Sequence, residues 1–281
     1  MLRVLDAAWR AAAYCLHPRV IALSILPLLV MVAVALGTGW MFWDAAVDGV
    51  FLWLEGWDLF ARIGDWLGGM GLGSLRTVIA PLIVVFVATP VIVVLTLMAV
   101  AVLMSPALVR LVGERRFPAL QRRQGASILA SIGWSLGSTV VALIALVLTL
   151  PLWLVPPLVL LLPPLIWGWL AYRVLAFDAL AEHATAEERR LVLRRHRLRL
   201  LAMGIVTGYL GGAPSIVWAS GALFAAAFVL LVPVAIWIYT VVFAFSSLWF
   251  AHYCLAALQE LRAEPLEAAS RPIALPDDKH S

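Results

Sequence analysis

The chain has 281 residues, 64% of them hydrophobic and only 13% charged, against about 45–50% apolar and about 25% charged residues in soluble domains. Four stretches without Asp, Glu, Lys or Arg, residues 20–43, 77–109, 124–172 and 200–259, fill more than half of it. This excludes an ordinary soluble protein and describes one polytopic membrane domain. The net charge of +4 rests on nineteen Arg and one Lys, and their positions set the expected topology.

Residues 2–16 read as an interfacial helix, with Leu5, Trp9, Ala12 and Leu16 on one face and Arg3, Asp6 and Arg10 opposite. The turn His17-Pro18 and Arg19 then precede the first run, 20–43, a spanning helix with Pro27 near its start and Trp40 and Trp43 as anchors. Its length separates it from a cleaved signal peptide, whose apolar region is usually about 7–15 residues. Segment 44–76 carries Asp44, Asp48, Glu55, Asp58 and Asp65 but only Arg62 and Arg76, which fits the outer side. Its interleaved Phe51, Leu52, Leu54, Trp57, Leu59, Phe60 and Ile63 predict a helix along the interface, ended by the glycines Gly68, Gly69, Gly71 and Gly73.

The second run, 77–109, exceeds one crossing, so the sequence predicts a span that is tilted, kinked at Pro81 or Pro90, or partly cytoplasmic, with an end at Pro106. The third, 124–172, is a hairpin broken around Pro151, Pro156 and Pro157. Its returning arm, 158–172, is interrupted at Pro163-Pro164 and too short for a hydrocarbon core of about 30 Å, which implies partial insertion. The fourth, 200–259, holds two or three helices with natural breaks at Pro214 and Pro233. The pairs Gly133/Gly137 and Gly204/Gly208 have the spacing of close helix contacts.

Between these hairpins, Thr185-Ala-Glu-Glu188 is a capping box, and Arg189, Arg190, Arg194, Arg195, Arg197 and Arg199 follow it. This basic helix suits topology and anionic lipid. Being tied to the membrane and without aromatic stacking partners, it excludes nucleic acid as a partner. With the hairpins returning to their own side, eighteen of the twenty basic residues face the cytoplasm, as do both termini. Residues 263–281 read as a solvated, flexible cytoplasmic tail.

Chemistry is sparse. Cys15 and Cys254 lack metal or disulfide spacing, and no HExxH, Walker loop or GxSxG occurs. Among ionisable groups only His252 falls within the four runs, so proton coupling lacks a buried acid or lysine. The sequence therefore predicts no enzyme, no cofactor and no metal. Arg19, before a helix whose first N–H groups are free, and His17 beside it are the candidate anion ligands, Arg19 being read against an ordinary positive-inside arginine.

Three segments carry a family resemblance: YRVLAFDALAEHATAEERRLVLRRHR, HPRVIALSILPLLV and MSPALVRLVGER. The chain resembles the etoposide-induced-protein/CysZ-like membrane family, which includes bacterial sulfate permeases, over residues 1–262. Phe177, Asp178, Arg189 and Arg190 match its aromatic-Asp and Arg-Arg motif. Arg19 matches the last residue of its Gly-Leu-Arg motif, where His17 and Pro18 replace Gly and Leu. The Asn-His following the aromatic-Asp motif in sulfate permeases is absent, as is the Pro-x-x-Asn turn of their last hairpin.

The resemblance implies an all-α fold with two long spanning helices and two partly inserted hairpins. It also implies an inner-membrane anion conduit with an anion site at Arg19. The alternative is a non-transporting scaffold or envelope-biogenesis factor. The partners expected are membrane lipids, sulfate or another small anion, and a second copy of the chain that shields the hairpin turns.

Overall fold

A computed structural model describes residues 2–57, 74–123, 126–212 and 221–270. Among these every regular element is helical. In chain order they are α1 (Leu2–Cys15), α2 (Pro18–Glu55), α3 (Ser74–Arg116), α4 (Ile128–Thr149), a short 3-10 helix (Leu150–Leu154), α5 (Pro156–Ala181), α6 (Ala186–Arg195), α7 (Arg197–Gly211) and α8 (Gly221–Ser270). Five of the described segments are long and apolar enough to cross a membrane: Pro18–Leu54, Ile79–Thr96, Leu129–Leu154, Pro157–Ala181 and Leu231–Glu264.

Burial is concentrated at one end, where the basic residues lie. Leu108 and Val112 of α3, Ala176 and Leu180 of α5, Leu200 of α7 and Phe250, Leu255 and Leu258 of α8 form a closed core there with Ala7 and Ala11 of α1. A smaller cluster of Met31, Val232 and Ile236 joins α2 to α8 further along. The remaining apolar surface, such as Leu36, Phe86, Leu136, Val147 and Leu160, faces outward, as lipid-facing helices require. The span of α8 is the most enclosed, with 44% of an eighteen-residue apolar stretch buried against 11–22% of the corresponding stretches in the others. α1, α2, α3, α5, α6 and α7 pack against it, while α4 packs on α5.

α1 lies as its periodicity predicts. Its small residues Ala7 and Ala11 press on α8, and Leu2, Leu5 and Trp9 point outward. Trp249 Nε1 donates to the Val4 carbonyl at 2.9 Å, and Arg3 pairs with Glu260. The N-terminal helix and the end of α8 therefore share one end of the bundle.

Several proline readings are corrected. α2 runs unbroken to Glu55, so 44–55 extend the first long helix instead of starting a separate interfacial one. The glycines at 68–73 lie outside the described residues. α3 passes through Pro106 to Arg116, α5 through Pro163 and Pro164, and α8 through residue 233 to Ser270. α8 thus takes in 263–270 of the segment read as a tail, while Pro214 and 271–281 lie outside the described residues. A proline interrupts the hydrogen-bond ladder at one carbonyl, and neighbouring helices and hydroxyls in a bundle accommodate that loss. The turn itself falls where expected, with Pro156 in the first turn of α5, a position that needs no N–H.

The lengths alter the hairpin argument. α4 has 22 residues and α5 has 26, about 33 and 39 Å at about 1.5 Å per residue. Both match a hydrocarbon core of about 30 Å, so the short arm expected at 158–172 is not there. The second hairpin keeps a short arm: α7 has 15 residues, about 22 Å.

Of the two glycine pairs, one is an interface. A Cβ on Gly208 would sit 2.5 Å from the Pro164 carbonyl, and one on Gly168 would sit 2.7 Å from the Gly204 carbonyl, so α5 and α7 touch backbone to backbone. Gly133 and Gly137 face open space.

Candidate functional site

The start of α2 is built by His17. Its backbone is extended, its Nδ1 accepts from the Arg19 N–H at 3.1 Å, and its carbonyl accepts from Val20 and Ile21 at 2.8 and 3.0 Å. Pro18 has no N–H. The helix-opening donors expected to be free for an anion are therefore already satisfied. What remains is side-chain chemistry: the exposed Arg19 guanidinium and the His17 ring, with Arg115 from the end of α3 close enough to act on that ring. Desolvation, then the charges of Arg115 and Arg19, hold the imidazole below its ordinary range. At neutral pH it is uncharged, as an accepting Nδ1 requires. Arg115 was not singled out in the sequence, because only tertiary packing brings α3 to the start of α2.

The family-motif positions lie elsewhere and act as joints. Phe177 is buried and stacks on Trp134 of α4 at 5.1 Å between centroids and 19° between planes. The Arg189 guanidinium lies 4.3 Å from the Phe177 centroid, and Arg173 lies 4.0 Å from that of Trp134. The run Arg189, Phe177, Trp134, Arg173 thus ties α6 to both arms of the first hairpin through cation–π and stacking contacts. Asp178 accepts from the buried Ser105 Oγ of α3 at 3.3 Å, while Arg190 is exposed. These residues are not gathered around Arg19.

The capping box forms as predicted. Thr185 Oγ1 accepts from the Glu188 N–H at 3.2 Å, and Glu188 Oε2 accepts from the Thr185 N–H at 2.9 Å. Glu188 does more than cap. Arg262 of α8 grips it through Nε at 2.9 Å and Nη2 at 3.0 Å, and Arg123 adds a contact at 3.1 Å. The same Arg262 donates to the carbonyls of His183 at 2.6 Å and Gln121 at 3.1 Å. Arg262, together with the Thr185 N–H and Arg123, holds the Glu188 carboxyl well below its ordinary range, at about 2. Nothing in the local sequence pairs positions 188 and 262.

His252 is buried, its Nδ1 against the Leu248 carbonyl at 2.8 Å and its ring edge-on to Tyr14 at 4.8 Å. The neighbouring Tyr253 hydroxyl meets His196 Nδ1 at 2.9 Å.

A bundle whose described residues are all helical, with five apolar spans among them, an enclosed basic end and outward apolar faces, is a multi-pass membrane protein. Residues 7–220 match the family described as sulfate transporter CysZ/etoposide-induced protein 2.4, and the chain belongs to that family. No curated protein and no solved structure matches it. The family match ends before α8, which supplies much of the core.

Proposed function

We propose that the protein is an inner-membrane conduit for a small oxyanion, sulfate in the first instance, driven by the solute gradient without proton coupling. The observation that carries this reading is the positive corner at the start of α2, where Arg19 follows the His17 cap and the charge of Arg115 reaches the His17 ring. Membership of the sulfate transporter CysZ/etoposide-induced protein 2.4 family supplies the substrate class. In this reading both termini and the basic end face the cytoplasm, in line with the arginine count. Arg19 and Arg115 capture the anion by charge-assisted hydrogen bonds and His17 fixes the turn that presents them. The uncharged runs offer no acid or lysine for a proton relay.

Uptake of labelled sulfate into proteoliposomes tests it, beside empty liposomes and the variants Arg19→Ala and Arg115→Ala. Saturable uptake is expected, falling about tenfold or more in Arg19→Ala, the loss of one charge-assisted contact of about 1.5–3 kcal/mol. Folded protein with uptake no greater than empty liposomes would reject sulfate conduction and favour the scaffold reading.

A further inference from the structure

A groove of about 810 Å³ lies between the α6–α7 link, the start of α1 and the end of α8. Its walls carry Arg3, Arg194, Arg195, His196, Arg197 and Arg199. Glu260 and Glu264 also line it, paired with Arg3 and Arg195. Five guanidinium groups against two carboxylates leave the groove strongly positive. A smaller cleft of about 320 Å³ shares Arg3, His196 and Glu260 with it. His252 lines that cleft, 1% exposed, its Nε2 without a hydrogen-bond partner among the described residues.

We propose that this groove binds the phosphate of an anionic phospholipid. Arginine forks match phosphate oxygens. The depth is that of a headgroup, because α7 leaves the groove at Arg199 and enters the uncharged stretch that follows, and α1 alongside turns Leu2, Leu5 and Trp9 outward. Two apolar side chains at the groove, Leu198 at 80% and Leu191 at 49% exposure, stand among the arginines. A free phosphate would leave both in water, whereas the acyl chains of a lipid cover them. The groove is separate from the corner at Arg19, and the proposal does not rest on transport.

Native mass spectrometry of the full chain in detergent tests it, with phosphatidylglycerol, phosphatidylcholine and inorganic phosphate as probes. Phosphatidylglycerol should be retained about tenfold better than phosphatidylcholine, and equimolar inorganic phosphate should not displace it. Retention should fall about tenfold in Arg194→Gln/Arg197→Gln and persist in Arg190→Gln, which alters an arginine of α6 outside the groove. Leu198→Asn keeps every arginine, gives an independent readout should the double variant fail to fold, and should also weaken retention. Equal retention of the two lipids, or unchanged retention in both groove variants, would overturn the proposal. Displacement by inorganic phosphate would overturn the lipid and assign the groove to a soluble anion. Each outcome is read without any uptake measurement.

Discussion

Glu188 receives two contacts from Arg262 and one from Arg123, with 16% of its side chain exposed. Removing its charge leaves Arg262, 18% exposed, as a half-paired cation, so Glu188→Gln should cost about 2–4 kcal/mol, read as a lower melting temperature in detergent. The pH dependence has a definite sign. A carboxyl held at about 2 when folded, against an ordinary 4.5, contributes its full stability above pH 4.5, and that stability is lost as pH falls toward 2. The melting-temperature gap between wild type and Glu188→Gln should therefore be wide at pH 6 and narrow at pH 2.5. His17 behaves oppositely toward an anion. Its ring is held below the ordinary value of 6.5 and accepts the Arg19 N–H. Protonation breaks that cap, releases the N–H and adds a positive charge beside Arg19 and Arg115. Sulfate uptake should accordingly rise as the pH on the basic side falls below 6.5, and His17→Ala should flatten the profile. A profile as steep in His17→Ala as in wild type would exclude His17 from capture.

Elements joined by local rules were legible, and those joined by tertiary contact were not. The amphipathic spacing of α1 and the Thr185–Glu188 box fix backbone within one or two turns, so both could be read directly. The Gly204/Gly208 pair was visible as spacing, but its partner Gly168 was not, since a lone glycine four residues after Pro164 has no pattern of its own. The same limit hid Trp134 beneath Phe177 and Arg115 beside His17. Proline is a poor guide in helices supported by neighbours: α3, α5 and α8 run through theirs, whereas the turn at 150–156 is a break. The glycine seam gives the sharpest test at this scale. A Cβ on Gly204 falls against the Gly168 carbonyl, so Gly204→Leu must separate α5 from α7 and should lower stability by about 3 kcal/mol or abolish folded expression. Gly133→Leu, with nothing within 4 Å of the added carbon, should leave the melting temperature unchanged, and size-exclusion profiles of the two variants compare them directly.

For the whole molecule, the chain ends constrain the path through the bilayer. The contacts of Val4 with Trp249 and of Arg3 with Glu260 place residues 2–15 on the same side as the end of α8. An even number of passes must therefore separate them, whereas the helices of spanning length and composition among the described residues number five. Among the described residues α7 supplies the sixth passage: it leaves the basic end at Arg197 and runs to Gly211, about 22 Å. Its glycine seam holds this short helix backbone to backbone against its full-length neighbour α5. The two hairpins should then differ in depth. A cysteine introduced at Val155, at the tip of the α4–α5 turn, should react with an impermeant maleimide added to the outer face, since both arms are long enough to carry it there. A cysteine at Gly211 should resist the same reagent. Cys15 is replaced by Ala beforehand because it is only partly buried, and the buried Cys254 stays. Labelling of Val155→Cys from the basic side alone would return the first hairpin to partial insertion and show that length does not decide its depth. Outer-face labelling at both positions would show that residues beyond 211 extend the passage to the far surface.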